Sequence, residues 1–278
     1  MKRNPLVAPV VKWVGGKRQL LPEIEKYIPD KISTYYEPFL GGGAVFFHLQ
    51  RKKAVVNDIN EELINLYKVI KDNVDELIED LQNHENTSDY FYEIRELDRD
   101  KERYEKLTDI ERASRIHYLN KTCFNGLFRV NQQGEFNAPF GKYKNPDFVN
   151  AITLKAVSNY FNKANITFRC GDFEEAVKGI RRGSFVYFDP PYDPVSDSSN
   201  FTGYDKGGFD RNEQIRLKKL CDKLNDRDVK FLLSNSATNF IKELYKDYKI
   251  ETVQAKRAIN SKGDMRGEVD EVLVRNYE

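Results

Sequence analysis

Phe185-Val186-Tyr187-Phe188-Asp189-Pro190-Pro191-Tyr192 joins a short apolar run to a turn signal that two prolines make rigid. An apolar run bounded in this way reads as a buried strand. Each proline ring then locks φ and removes a backbone donor as the chain leaves the sheet. A carboxylate, fixed carbonyls and an aromatic ring are thereby held at the carboxyl end of a strand, where open α/β sheets place their ligand sites. These groups suit the gripping of a planar amine while its nitrogen attacks an electrophile. For the tetrapeptide alone the plainer alternative is a strand-ending turn with an ordinary surface aspartate, so its company decides.

Upstream, Ser33-Thr34-Tyr35-Tyr36-Glu37-Pro38-Phe39 leads into Gly41-Gly42-Gly43 and then Ala44-Val45-Phe46-Phe47-His48-Leu49. This reads as strand, tight loop, helix. Ala54 to Asp58 is a second strand ending in an acid, and Leu63, Leu66, Tyr67 and Ile70 predict a helix from about Asn60 to Ile70. Residues 71–121 stay helical and charged, with Val74, Leu77, Ile78 and Leu81 on one face and Phe91, Ile94, Arg95 and Leu97 beginning another. From Thr122 to Pro146 periodicity fails, as in a loop or short hairpin that meets a partner. Further strands are expected at 166–170, 229–233, 250–254 and 271–276, and helices at 174–180, 213–224 and 240–248. Residues 193–210, rich in Ser, Asp and Gly, read as a mobile loop. No internal repeat is visible. The arrangement is an alternating α/β domain split by a helical insertion.

The 278 residues suit one large domain or one domain with an insertion. Charged residues make up 32% and the mean hydropathy is -0.69, a composition expected of a soluble protein, and no apolar stretch approaches the ~20 residues needed to span a bilayer. Met1-Lys2-Arg3-Asn4-Pro5 has no apolar run behind it and does not read as a secretory signal. Cys123, Cys170 and Cys221, far apart and odd in number, suggest neither a disulfide framework nor a zinc site. Buried free thiols in a reducing cytoplasm are the expectation, with no membrane, no metal and no obligate protein partner implied. Net charge is +1, yet charge is segregated. Residues 1–20 hold five basic and no acidic side chains, residues 111–144 hold six basic and two acidic, and residues 57–110 hold seventeen acidic and seven basic. A basic face is thus possible on a nearly neutral molecule. The acidic stretch reads as solvated helix faces.

The glycine loop fails as a dinucleotide motif, because G-x-G-x-x-G would need glycine where Phe46 stands. Gly15-Gly16-Lys17 fails as a phosphate loop, since Val11 replaces the earlier glycine and Arg18 the required hydroxyl residue. A nucleoside fits better. Asp58 ends its strand where acids grip ribose hydroxyls, and Asp172 and Phe173 end another, placed for the edge and face of an adenine ring. The reactive group would then point toward Asp189.

At this point a resemblance is plain. Glu37-Pro38-Phe39-Leu40-Gly41-Gly42-Gly43 is similar to the S-adenosylmethionine motif, and Asp189-Pro190-Pro191-Tyr192 to the catalytic motif, of Dam-type (GATC-specific) DNA adenine-N6 methyltransferases, with the alpha-class motif order and including methylases of type II restriction systems. Lys12-Trp13-x-Gly15-Gly16-Lys17, Val56-Asn57-Asp58-Ile59-Asn60, Phe124-Asn125-Gly126-Leu127-Phe128-Arg129, Gly134 to Lys144, Asn200-Phe201-Thr202-x-Tyr204 and Leu233-Ser234-Asn235 match in order. The resemblance implies a Rossmann-like α/β methyltransferase sheet, residues 1–60 and 160–278, carrying a helical and loop target-recognition insertion, 61–159, whose segment 122–146 contacts DNA. It implies S-adenosyl-L-methionine as cofactor, held by Trp13, Gly15, Lys17, Glu37, Phe39, Gly41, Gly43, Asp58, Asp172, Phe173 and Asp189. Asp189 and the Pro190 carbonyl would accept the hydrogens of an adenine amino group, with Pro191 stiffening the turn and Tyr192 stacking on the base. An aromatic amine is a poor nucleophile, and two acceptors on its hydrogens raise electron density on nitrogen for direct displacement.

Double-stranded DNA is the implied partner, and a paired base must be flipped out to react. Phe124, where the family has Tyr, would enter the stack, and Asn125 would face the orphaned base. Lys12, Leu127, Arg129 and Tyr143 match positions that read flanking base pairs, which favours GATC. Asn137 belongs to the same contact set, and Lys142 and Lys144 suit phosphates. Outside this set, His117, between Ile116 and Leu119, reads as a structural histidine, and Asn57 and Asn60 as helix caps. Two other readings stay open: an amino-group methylase acting on cytosine, RNA or a protein glutamine, and a cofactor-binding protein without chemistry. The complete Asp189 to Tyr192 set speaks against the second.

Overall fold

The computed structural model describes residues 3–13, 15–195, 208–256 and 268–278. Along them run α1 (Leu21–Lys26), β1 (Tyr35–Glu37), α2 (Ala44–Leu49), β2 (Lys53–Asp58), α3 (Glu61–Asp72), α4 (Val74–Gln82), α5 (Ser88–Glu96), α6 (Lys101–Glu105), α7 (Asp109–Thr122), α8 (Ala151–Lys163), β3 (Asn165–Cys170), α9 (Phe173–Ala176), β4 (Phe185–Phe188), α10 (Arg211–Asn225), β5 (Lys230–Ser236), α11 (Asn239–Leu244), β6 (Lys249–Lys256) and β7 (Glu268–Arg275). Short 3₁₀ turns cover Lys17–Gln19, Leu97–Arg99 and Phe124–Gly126.

All seven expected strands form one sheet in the order β3-β2-β1-β4-β5-β7-β6. β1 to β5 are parallel, and β7 runs antiparallel between β5 and β6. Strand order reverses between β1 and β4: β2 and β3 lie to one side of that pair, β4 and β5 to the other. The carboxyl ends of β1 and β4 therefore border a topological switch point. Both faces of the sheet are covered, as parallel sheets require. Phe185 and Tyr187 of β4 join Tyr35, Val56 and residues of α2, α3, α7 and α8 in one core, while Val186 and Phe188 pack with Leu233, Val272, α10 and α11 in the other.

Local chemistry sets the helix starts. Asn60 caps α3 by accepting from the Leu63 N–H, and a reciprocal Thr108–Glu111 capping box opens α7. The charged stretch 71–121 divides into separate helices, because Thr87, Asp100 and Thr108 each restart the chain with a side-chain cap. The helix expected over 174–180 closes at Ala176, where the Arg169 guanidinium donates to the carbonyls of Glu175 and Ala176 at the helix end. The helix expected to Tyr248 ends at Leu244. α8 was not expected, although Leu154, Val157 and Phe161 follow helical spacing and Asn150 caps it. Segment 122–146 is a 3₁₀ turn followed by a hairpin, marked by bridges between Cys123 and Phe140 and between Val130 and Phe136. Of the stretch read as a mobile loop, residues 196–207, with the motif from Asn200 to Tyr204, lie outside the described residues. Cys123 and Cys221 are buried thiols, whereas Cys170, at the exposed carboxyl end of β3, is not. No helix among the described residues is long and apolar enough to cross a membrane.

Candidate active site at the carboxyl edge of the sheet

Asp189 stands one residue beyond β4, where the strand order reverses. Lys17 Nζ lies 2.9 Å from its Oδ1, and the Ser234 hydroxyl on β5 donates to the same oxygen at 3.0 Å. Burial pushes the Asp189 carboxyl above the usual carboxylate range, and the Lys17 ammonium and the two hydrogen bonds pull it back. Lys17 is itself only 6% exposed; it donates to the Gly15 carbonyl and sits 4.5 Å from the centroid of the Tyr192 ring. The Tyr192 hydroxyl donates to Glu271 on β7 at 2.7 Å. Burial, with the negative charges of Asp189 and Glu271, holds that phenol far above its ordinary range, so it stays neutral.

The turn after Asp189 is pinned from α10 and β5. Gln214 donates to the Pro191 carbonyl at 2.8 Å and accepts from Asn235 at 3.0 Å, and Asn235 accepts from the Asp193 N–H at 3.0 Å. The Asp193 carboxylate is buried and ion-pairs with Arg211 at 3.0 Å. Ser234 and Asn235 match family residues to which the sequence attaches no task, and Gln214 belongs to none of the matched motifs. A signal existed, because Gln214 lies on the stripe formed by Leu217, Cys221 and Leu224, and a polar residue on such a stripe needs a partner.

A second group gathers around the glycine loop. Glu37 ends β1 buried, with the Tyr35 hydroxyl donating to it at 2.5 Å. Burial raises its carboxyl well above the usual range; the Tyr35 bond opposes this and the charge on Asp189 adds to it. Gly41 has φ +48°, and a Cβ there would stand 2.7 Å from the Trp13 ring, so only glycine lets Trp13 lean on the loop. The Asp58 carboxylate accepts from the Gly41 N–H at 2.8 Å. Gly43, at φ +67°, is the N-cap of α2. Asn57, expected to be a cap, instead donates to the carbonyls of Pro38 and Gly171, tying the end of β1 to that of β3.

Asp172 and Phe173 are differently engaged. Asp172 caps α9 and ion-pairs with Arg216, whose guanidinium lies 4.2 Å over the Phe173 ring, while Phe173 packs against Phe39 at 5.3 Å. A cleft of about 410 Å³ opens at the ends of β2 and β3, lined in part by Asn57, Cys170 and Asp172. It does not include Asp189, Lys17 or Gly41. Trp13, Gly15, Lys17, Glu37, Gly41, Asp58 and Asp189 thus share one corner, and Asp172 and Phe173 face Arg216 beside it.

The residues matched to DNA contacts form an adjoining surface. The Phe124 ring is 54% exposed at the tip of the 3₁₀ turn. The Asn125 N–H, in a left-handed backbone at φ 57°, donates to the Tyr143 hydroxyl at 2.9 Å, and the Lys12 ammonium stands 5.4 Å from the Tyr143 ring centroid. Leu127 is half-buried, and Lys142 is exposed with φ 53°. Arg129 and Asn137 face each other across the hairpin: the Arg129 guanidinium donates to the Asn137 carbonyl at 2.7 Å, and the Asn137 N–H donates back at 2.8 Å. Asp98 holds the hairpin base by accepting from the Phe136 N–H and pairing with Arg115. Arg115, and Arg112 paired with Glu62, serve the interior, so the basic face of 111–144 rests on fewer cations than the sequence count. Trp13 stacks on Phe128 at 4.7 Å, joining the two surfaces. His117 is buried in α7, where desolvation lowers it to about 3, a structural histidine as read.

Known proteins are similar to this chain in sequence. Residues 13–259 match the D12 class N6 adenine-specific DNA methyltransferase family. A type II methyltransferase of Lactococcus lactis subsp. cremoris is 47% identical across all of this chain and 98% of its own length. A type II methyltransferase of Methanocaldococcus jannaschii is 43% identical over 98% of this chain and 99% of its own, and the DNA adenine methylase of Escherichia coli 35% identical over 98% and 95%. With a family match over most of its length and relatives aligned end to end, the chain belongs to the D12 class of N6 adenine-specific DNA methyltransferases.

Proposed function

We propose that this adenine-specific DNA methyltransferase takes its methyl group from S-adenosyl-L-methionine and places it on N6 of the adenine in GATC of double-stranded DNA, after flipping the base, by direct displacement. The observation that carries the reading is the placement of Asp189 at the switch point, with Tyr192 beside it and Lys17 bridging to the glycine-loop corner.

The corner suits the cofactor by its donor set. Asp58 and Asp189 border it with the Lys17 ammonium between them and the buried Glu37 held by Tyr35, and Asp58 ends β2 where a ribose diol is gripped. When bound, S-adenosylmethionine supplies an electrophilic methyl on a sulfonium. Trp13, Gly15, Lys17, Glu37, Phe39, Gly41, Gly43 and Asp58 would hold it, with Asp172 and Phe173 offered to its base. Asp189 accepts one hydrogen of the target amino group and the Pro190 carbonyl the other; Pro191, fixed by Gln214, keeps that carbonyl in place. Lys17 and Ser234 meet on Oδ1, and the proposed acceptor for the amine is the other carboxylate oxygen. Tyr192 offers a neutral ring face for stacking.

Phe124 fills the gap left by the flipped base, Asn125 faces the orphan, Lys12, Leu127, Arg129, Asn137 and Tyr143 read neighbouring pairs, and Lys142 holds phosphate. Residues 1–60 and 160–278 form the catalytic domain and 61–159 the recognition insertion. The flanking helices α3 and α8 pack on the sheet at β3, α4 and α7 pack on these helices, and α5 and α6 pack on α7. The enzyme works in the cytoplasm, where its DNA is.

The test is transfer of labelled methyl from S-adenosylmethionine to two short duplexes, one with GATC and one with GTTC. Label on adenine in the first alone supports the reading. Equal label in both discards GATC, and none in either discards the proposed donor and duplex substrate.

A further inference from the structure

Asn120, on the last turn of α7, is fully buried, yet its amide makes three hydrogen bonds that leave its own helix. Its Oδ1 accepts from the Lys12 N–H at 2.8 Å, and its Nδ2 donates to the Lys12 carbonyl at 2.7 Å and to the Gly126 carbonyl at 3.3 Å. One side chain thus pins two segments that lie far apart in sequence. Their fit is steric as well. Gly126 has φ +64°, and a Cβ there would overlap the aliphatic part of Lys12, so a bare backbone lets Lys12 cross the turn. On the far side of the crossing, the Lys12 ammonium reaches the Tyr143 ring, whose hydroxyl accepts from Asn125. Lys12, Asn125 and Tyr143 are therefore held in one register with Asn120 at its centre.

We propose that Asn120 is the positioning residue for base readout: it touches no DNA itself, but fixes the Lys12 ammonium against the Phe124–Gly126 turn and so sets discrimination at the base pairs they read. The inference rests on the reading above that Lys12 and this turn face DNA. A lysine held in register distinguishes guanine acceptors; the same lysine set loose is drawn to phosphates, which carry no sequence information. Replacing Asn120 by leucine, similar in size and without the three bonds, releases it.

The experiment compares kcat/KM for methyl transfer on a GATC duplex and on duplexes with one outer base pair changed, using wild type, Lys12→Ala, Asn120→Leu, Gly126→Ala and the Lys12→Ala/Asn120→Leu pair. Each single variant is expected to lower the discrimination ratio by about tenfold, in the range of one good base contact, and the double variant no further than Lys12→Ala alone. A uniform fall on every duplex with the ratio preserved in Asn120→Leu marks a merely structural residue and overturns the proposal. So does a ratio lost in Lys12→Ala and kept in both Asn120→Leu and Gly126→Ala, which leaves the DNA-facing reading intact. A ratio unchanged in Lys12→Ala itself refutes that reading, and the proposal falls with it. Should Asn120→Leu fail to fold, Gly126→Ala decides, since it displaces Lys12 from the same register with the amide in place.

Discussion

Asp189 is asked to do two things that conflict. As the proposed acceptor for an amine it must be ionised, yet burial favours its neutral form and raises its carboxyl. Lys17 and Ser234 resolve the conflict by holding the charge. The sign of the pH dependence follows. Turnover at saturating cofactor and DNA rises with pH as Asp189 ionises, and this acid limb lies above the ordinary carboxylate range. In Lys17→Met the opposing cation is gone, Asp189 is pushed up further, and the limb moves to higher pH. A pH profile of kcat for the two proteins checks this; a limb that stays put or moves down would show that Lys17 does not hold the charge. Glu37 differs: burial and the Asp189 charge keep its carboxyl raised, with the Tyr35 bond as the counterweight.

At the level of elements, the site is a strand end held by its neighbours. β4 ends in Asp189, β5 brings Ser234 and Asn235, and α10 brings Gln214 to the Pro191 carbonyl. Gln214→Leu leaves that carbonyl and the Asn235 amide without their partner in a buried place, at about 1–3 kcal/mol for each unsatisfied group. The expected outcome is a melting temperature lower by roughly 2–4 °C per kcal/mol and a reduced kcat with little change in DNA affinity. Calorimetry and steady-state rates check both. The strands were legible in the sequence because Phe185 to Phe188 and their counterparts are short apolar runs ended by turn residues. The placement of Asp189, Asp58 and the glycine loop at strand ends was legible because each directly follows or ends an apolar run. α8 was missed although its Asn150 cap and apolar spacing were there to see. Gln214 showed as a polar residue on the apolar stripe of α10, but its partners and those of Asn120 lie far off in sequence and only packing brings them near. The engagement of Asp172 with Arg216 depends likewise on where α10 crosses the sheet.

For the molecule as a whole, a net charge of +1 hides a division of labour. Acidic helices carry the negative charge, and the loops around Phe124 and Tyr143 carry Lys12, Arg129, Lys142 and Lys144. Binding to duplex DNA should therefore weaken with salt, log K falling linearly with log salt, and Lys142→Ala should flatten the slope by about 1 while weakening all sequences alike. Titrations at several salt concentrations check this; an unchanged slope would remove Lys142 from the phosphate contacts. The same surface meets the Asp189 corner through the Trp13–Phe128 stack, so the proposed function places the base to be methylated and the pairs that identify it in one frame. The most direct test of that frame is a single-turnover measurement of methyl transfer by Asp189→Asn at saturating cofactor and GATC duplex. The rate should fall by a factor on the order of 10²–10³, as expected for loss of one preorganised electrostatic partner, with folding preserved. A rate within a few-fold of wild type would contradict the role given to Asp189, and with it the chemistry placed at this edge of the sheet.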